Sequence, residues 1–163
     1  MSAVAQLEEI QEVELIPAKL EIREKIVGVE ARLRQALEKT GDAQPDCPLK
    51  HYFAPGAYGR EIFIPKGTLL VGKIHKHSHL NMLMKGKVSV LTEEGPKVLE
   101  GPLTMVSPPG TKRVVYTHED TVWVTVHLTN ETDLEKIEDE IIAKTYEEFE
   151  ALQGNVIKLG AQK

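Results

Sequence analysis

The chain has 163 residues, 41% of them hydrophobic and 28% charged, whereas a single core usually holds about 100 to 200 residues, so two full domains and global disorder are both excluded. Twenty Lys plus Arg against 25 Asp plus Glu leave a net charge of -5, which removes the attraction to phosphate backbones on which general nucleic-acid binders depend. No run approaches the roughly 18 apolar residues of a membrane span, the N-terminus lacks the basic start and apolar run of a secretory signal, and Cys47 is the only cysteine. The expectation is a soluble, cytoplasmic protein with neither membrane nor nucleic-acid partners.

Residues 1–49 read as an N-terminal helical extension. Pro17 suits the first turn of a helix, where its missing N–H leaves no bond unmade, and Gly41 stands where a C-terminal cap is expected. Ile22, Ile26, Val29, Leu33 and Ala36 or Leu37 recur at steps of three and four and form one stripe. That stripe is expected to pack on the protein's own sheet, because about two heptads fall short of the three or four that mark a coiled coil.

Residues 50–128 change to short alternating runs. Strands are expected at 51–54, 60–64, 68–75, 80–84, 87–92, 97–99, 103–106, 112–117 and 121–128. Pro55-Gly56, Pro65-Lys66-Gly67, Glu94-Gly95-Pro96, Pro108-Pro109-Gly110 and His118-Glu119-Asp120 punctuate them with turn chemistry. So many short strands with no helix between them indicate a mainly β fold, an antiparallel sandwich or barrel. Residues 129–163 return to a helix and tail. Thr132-Asp133-Leu134-Glu135 reads as a capping box, with Leu134, Ile137, Ile141, Ile142, Phe149 and Leu152 following at near-helical spacing as far as Gly154.

The chemistry concentrates in Gly72 to Gly86. If the segment is extended, His75, His77, His79 and Asn81 project to one face, and alternate residues lie roughly 6 to 7 Å apart, close enough for two rings to share an ion. One strand supplies only half of a metal site. His127 is the natural distant partner if Trp123 and Thr125 face inward with it, although Val122, Val124 and Val126 make an equally good inward face. His51 and His118 read more simply as hydrogen-bonded structural residues. The row Leu80, Met82 and Met84 lies on the opposite, outer face and needs a cover, either the terminal helices, slightly preferred, or a second copy in a homo-oligomer.

The run Gly72 to Gly86, the Pro108-Pro109-Gly110 turn and the strand-rich middle resemble the two motifs of a small cupin domain. This resemblance covers about residues 50 to 128 and implies an antiparallel jelly-roll barrel that holds a divalent transition metal with three histidines and a glutamate. Counting back from Gly86 puts His79 in the glutamate slot, His75 in the second-histidine slot and Lys73 in the first. Arg113 occupies the remaining histidine slot, and Gly101 lies one residue too far from Pro108. Two expected ligands are thus replaced by cations, which repel a divalent ion but suit a carboxylate or phosphate. The resemblance therefore implies a metal site at His75 and His79 with His77 or His127, and a site for a small polar anion at Lys73, Arg113 and Tyr116. Glu61 and Tyr116 are the only candidates for a general base. The overall pattern is also similar to cupin-like proteins of tailed bacteriophages, which implies the host bacterial cytoplasm. The contrasting expectation is a non-catalytic phage accessory, virion or interaction protein that uses the jelly roll as scaffold.

Overall fold

The computed structural model describes residues 3–42 and 45–160, with side chains for 18–42 and 45–154. Alternation of apolar and polar residues produces ten strands: β1 (Leu49–Ala54), β2 (Ala57–Ile64), β3 (Leu69–Val71), β4 (Ile74–His75), β5 (His79–Lys85), β6 (Lys87–Thr92), β7 (Gly95–Glu100), β8 (Leu103–Ser107), β9 (Val114–Thr117) and β10 (Thr121–His127). All but β4 form two sheets, one in the order β1-β2-β10-β5-β8 and a second in the order β3-β9-β6-β7. All pairings are antiparallel. The chain crosses between the sheets at β2 to β3, β3 to β5 by way of β4, β5 to β6, β7 to β8, β8 to β9 and β9 to β10, which is jelly-roll behaviour.

The crossings depend on glycine where backbone must pass close by. Gly86, between β5 and β6, has φ +106°, and a Cβ there would lie 2.5 Å from Thr121 Oγ1 and 2.9 Å from the Asp120 carbonyl. Both the positive φ and the close approach exclude a side chain. Gly110 has φ +82°, and its bare Cα leaves room for the Phe149 ring, which would stand 2.7 Å from a Cβ. Between the sheets Leu83, Val88, Val90, Val115 and Trp123 make the main core.

Helix α1 (Ala3–Thr40) packs against β3 and β6, on the outside of the second sheet. Ile26 is its fully buried anchor, while Ile22, Val29, Leu33 and Leu37 are half-buried. The helix therefore covers its own sheet as the stripe implies. Its start differs from expectation, because it begins at Ala3 and runs through Pro17. A proline removes one N–H from a helix without obliging it to begin there. Gly41, at φ +66°, caps the other end by donating its N–H to the Leu37 carbonyl at 3.0 Å. Two ion pairs stitch α1 to the barrel: Arg23 with Glu93, and the buried Lys112 with Glu30, each at 2.5 Å.

The C-terminal region is two helices, not one. Helix α2 (Leu134–Ile141) is followed by strand β11 (Ile142–Ala143) and then by α3 (Tyr146–Gly160). Strand β11 pairs with β4, with Ile142 opposite His75, so an available strand edge overrides the helical spacing. Asp133, rather than Thr132, is the N-cap of α2, and its carboxylate accepts from the N–H groups of Glu135 and Lys136. The capping pattern recurs at Thr145 and Glu148, where the Thr hydroxyl accepts the Glu148 N–H and the Glu carboxylate accepts the Lys144 N–H. Among the described residues no helix is long and apolar enough to cross a membrane.

The outer face of the first sheet is where the structure departs most from expectation. Among the described residues the terminal helices do not cover Leu80, Met82 and Met84, because α1 packs on the second sheet and α2 packs on Tyr58 through Ile137 and Ile141.

Candidate functional site

Three imidazoles meet at one end of the barrel. His75 ends β4, His79 begins β5 and His127 ends β10. Ring centroids are 4.1 Å apart for His75 and His79, 4.9 Å for His79 and His127, and 5.3 Å for His75 and His127, all in stacked orientation. Backbone contacts fix the first ring's strand: the His75 carbonyl accepts the Gly110 N–H at 2.7 Å. His79 Nδ1 lies 3.2 Å from the His77 carbonyl. His127 is held from behind by Tyr58, whose ring stacks on it at 6.3 Å and whose hydroxyl shares a 2.8 Å hydrogen bond with His51 Nδ1.

Trp123 does face inward, and the partner that brings it there is Asn81. The indole N–H donates to Asn81 Oδ1 at 2.9 Å, and Asn81 Nδ2 donates to Ser107 Oγ at 2.7 Å. Arg113 also donates to Ser107 Oγ, and its guanidinium stands 5.7 Å from the centre of the Trp123 ring system. Ser107, opposite His79 in register, thus accepts twice and keeps its own O–H to donate. Neither Ser107 nor Tyr58 stands out as a site residue from the sequence alone. The signal was present, since Leu103, Met105 and Ser107 alternate onto one face.

Beside Arg113 a cavity of about 170 Å³ opens between β6, β7 and β8, lined by Val90, Leu99, Met105, Ser107 and Thr111, with Glu93, Glu94 and Lys97 at its rim. A larger groove of about 530 Å³ runs between α1 and α3, and no histidine lines it. Among the described residues Arg113 has no ion-pair partner.

Burial keeps the imidazoles neutral. It lowers His75 to about 3, reinforced by the positive charge that His79 and His127 would carry. Burial likewise lowers His127 to about 4, with His79 next in effect, and lowers His79 against the opposing pull of the His77 carbonyl. Desolvation disfavours the imidazolium form, and stacked like charges add to it.

The remaining predicted residues lie elsewhere. His77 is exposed, because the chain bends at Lys76–His77 and breaks the alternation that would have aimed it inward. Lys73 is exposed and ion-paired with Glu138 of α2. Tyr116 points outward from β9, its ring edge-on to His118 at 5.2 Å. Glu61 lies on the outer face of β2, bonded to the Tyr52 hydroxyl at 3.2 Å and paired with Lys50 at 3.4 Å. His118 hydrogen-bonds Ser89 Oγ at 2.7 Å.

The donor chemistry fits a borderline divalent cation. Nδ1 of His75 and Nε2 of His79 are buried with no hydrogen-bond partner, and neutral imidazole nitrogen is a good ligand for transition metals. Such orphaned atoms are normally satisfied. The rings are stacked, however, and among the described residues no group of three or more His, Cys, Asp or Glu stands as a preformed metal site.

Fold and site together define a jelly-roll barrel with an inward imidazole cluster beside a half-buried arginine. No family model matches the chain and no curated protein matches it. Solved structures do. A cupin superfamily protein from Desulfitobacterium hafniense is similar over 53% of this chain and 81% of its own, at 7% identity and TM-score 0.46. A cupin 2 domain-containing protein from Halorhodospira halophila is similar over 56% and 70%, at 13% identity and TM-score 0.46. An acetylacetone dioxygenase from Acinetobacter johnsonii is similar over 50% and 59%, at 16% identity and TM-score 0.44.

Proposed function

We propose that this chain is a small cupin-type protein that binds a divalent transition metal at His75, His79 and His127, and a small polar anion at Arg113. The observation that carries the reading is the pair of buried, unpartnered ring nitrogens on His75 and His79. A bound divalent ion would supply Lewis-acid character next to the anion site. The chain's own contributions are separate from it. Arg113 binds an anionic group through its remaining N–H donors. Ser107 and Asn81 hold that guanidinium against Trp123, and the apolar walls of Val90, Leu99 and Met105 limit the ligand to a few heavy atoms. The similarity of its pattern to phage-encoded proteins supports the host bacterial cytoplasm as its setting.

Elemental analysis of protein purified without chelator, followed by Co(II) or Zn(II) calorimetry, tests this reading. About one equivalent bound, lost in a His75→Ala, His79→Ala double variant that keeps the native circular dichroism, is the expected result. Less than a tenth of an equivalent, with no uptake on addition, eliminates it.

A further inference from the structure

We propose that the outer face of the sheet β1-β2-β10-β5-β8 is the interface of a twofold dimer of this chain. Pairing register puts Tyr52, Phe63, Leu80, Met84, Val106 and the central Val124 on that face. Leu80 is 44% exposed, Met84 53% and Val106 67%, and these three lie on the adjacent strands β5 and β8. Monomers rarely leave so continuous an apolar surface in water.

A second copy is the occupant that the charge pattern selects. Although the chain carries a net charge of -5, the outward positions of these five strands hold only three ionisable carriers of charge, Lys50, Glu61 and Lys85, the last at the end of β5 opposite Val122 and so at the margin of the face. Lys50 and Glu61 neutralise each other within one copy at 3.4 Å. The middle of the face, around Leu80, Met82, Val106 and Val124, therefore carries no charge that opposes a twin surface; depletion of charge at the centre, with charge kept to the rim, is the mark of a homodimer core. Area agrees with this. Five strands about 4.8 Å apart and about 20 Å long give a footprint of about 500 Å² on each copy. The pair thus reaches the roughly 1,000 Å² that a specific interface needs. Sheets stacked in this way pack about 10 Å apart with side chains interdigitating, and an isologous contact brings each residue against the same patch on its twin.

Sedimentation velocity and native mass spectrometry of the full chain test the proposal, with a dimer expected at micromolar concentration. Leu80→Glu with Val106→Glu should raise the dimer dissociation constant at least about 100-fold while circular dichroism stays native, because like carboxylates then face each other in a desolvated contact. Val27→Glu, at an exposed position on α1, should leave the dimer intact. Oxidative footprinting of the unsubstituted chain reads the same face without risk to folding: Met84 should become protected as concentration rises. A monomeric chain, a dimer that survives the double substitution, dissociation by Val27→Glu, or Met84 reactivity that ignores concentration would each overturn the assignment.

Discussion

His75 and His79 lie face to face with ring centroids 4.1 Å apart and planes inclined by 29°, and each buries one ring nitrogen without a partner. Stacked neutral imidazoles can coexist at that distance, whereas two imidazolium rings cannot do so without strong repulsion. The cluster is therefore tied to one protonation state.

Acid should weaken the metal-free fold in a defined window. The unfolded chain binds protons on these histidines below about pH 6.5, while in the folded chain His75 and His127 are lowered to about 3 and about 4. The unfolded state thus holds more protons between those limits, and stability rises with pH there. The contribution is complete above pH 6.5 and drains as pH falls toward 4. Urea denaturation at pH 7, 6 and 5 should show a slope approaching two protons from His75 and His127, plus a share from His79, at about 1.4 kcal/mol per proton per pH unit. A flat profile between pH 7 and 5 contradicts the buried neutral cluster.

Asn81 should be costly to replace. It is 1% exposed, and it satisfies both the Trp123 indole N–H and Ser107. Asn81→Leu strands the indole N–H, at about 1 to 3 kcal/mol for a buried donor left unpaired, and takes from Ser107 one of its two donors while Arg113 remains. Chemical denaturation followed by the fluorescence of Trp123, the only tryptophan, reads the loss directly.

Arg113 should separate charge from shape. Arg113→Ala is expected to abolish binding of inorganic phosphate or a small dicarboxylate measured by calorimetry. Arg113→Lys should retain part of the affinity, since an ammonium keeps the charge and loses the planar fork. Unchanged affinity in the alanine variant rules out this residue as the anchor.

The Lys112 and Glu30 pair should behave asymmetrically. Lys112 is 7% exposed and its partner sits on α1. Glu30→Ala leaves a buried cation alone and should destabilise by about 3 kcal/mol, less what solvent screening removes at the more exposed Glu30. Glu30→Leu with Lys112→Met removes both charges and should come out near neutral. Thermal melts of the two variants compared with the parent check the sign of each.

Much of the barrel was legible because its signals are local. Pro65-Lys66-Gly67 and Glu94-Gly95-Pro96 turn the chain by their own backbone preferences, wherever they stand. His77 was misplaced because strict alternation presumes a continuous strand, and that strand is bent by tethers from far along the chain. The Lys76 N–H donates to the Ile141 carbonyl at 2.8 Å and its ammonium to the Asp139 carbonyl at 2.7 Å. Ile142 and Ala143 left the helix for the same reason, since the edge that receives them lies more than sixty residues away. The inward choice of Trp123 over the valines was undecidable from β10 alone; Asn81, on the neighbouring strand, supplies the acceptor that settles it.

Because Ile142 pairs with His75 and Phe149 fills the space beside Gly110, a truncation ending at Leu128 would strip away the β-pairing neighbour of the first imidazole and unseat the loop leading to Arg113. The shortest fragment able to keep the pocket intact must extend through Phe149, past the last strand of the barrel proper.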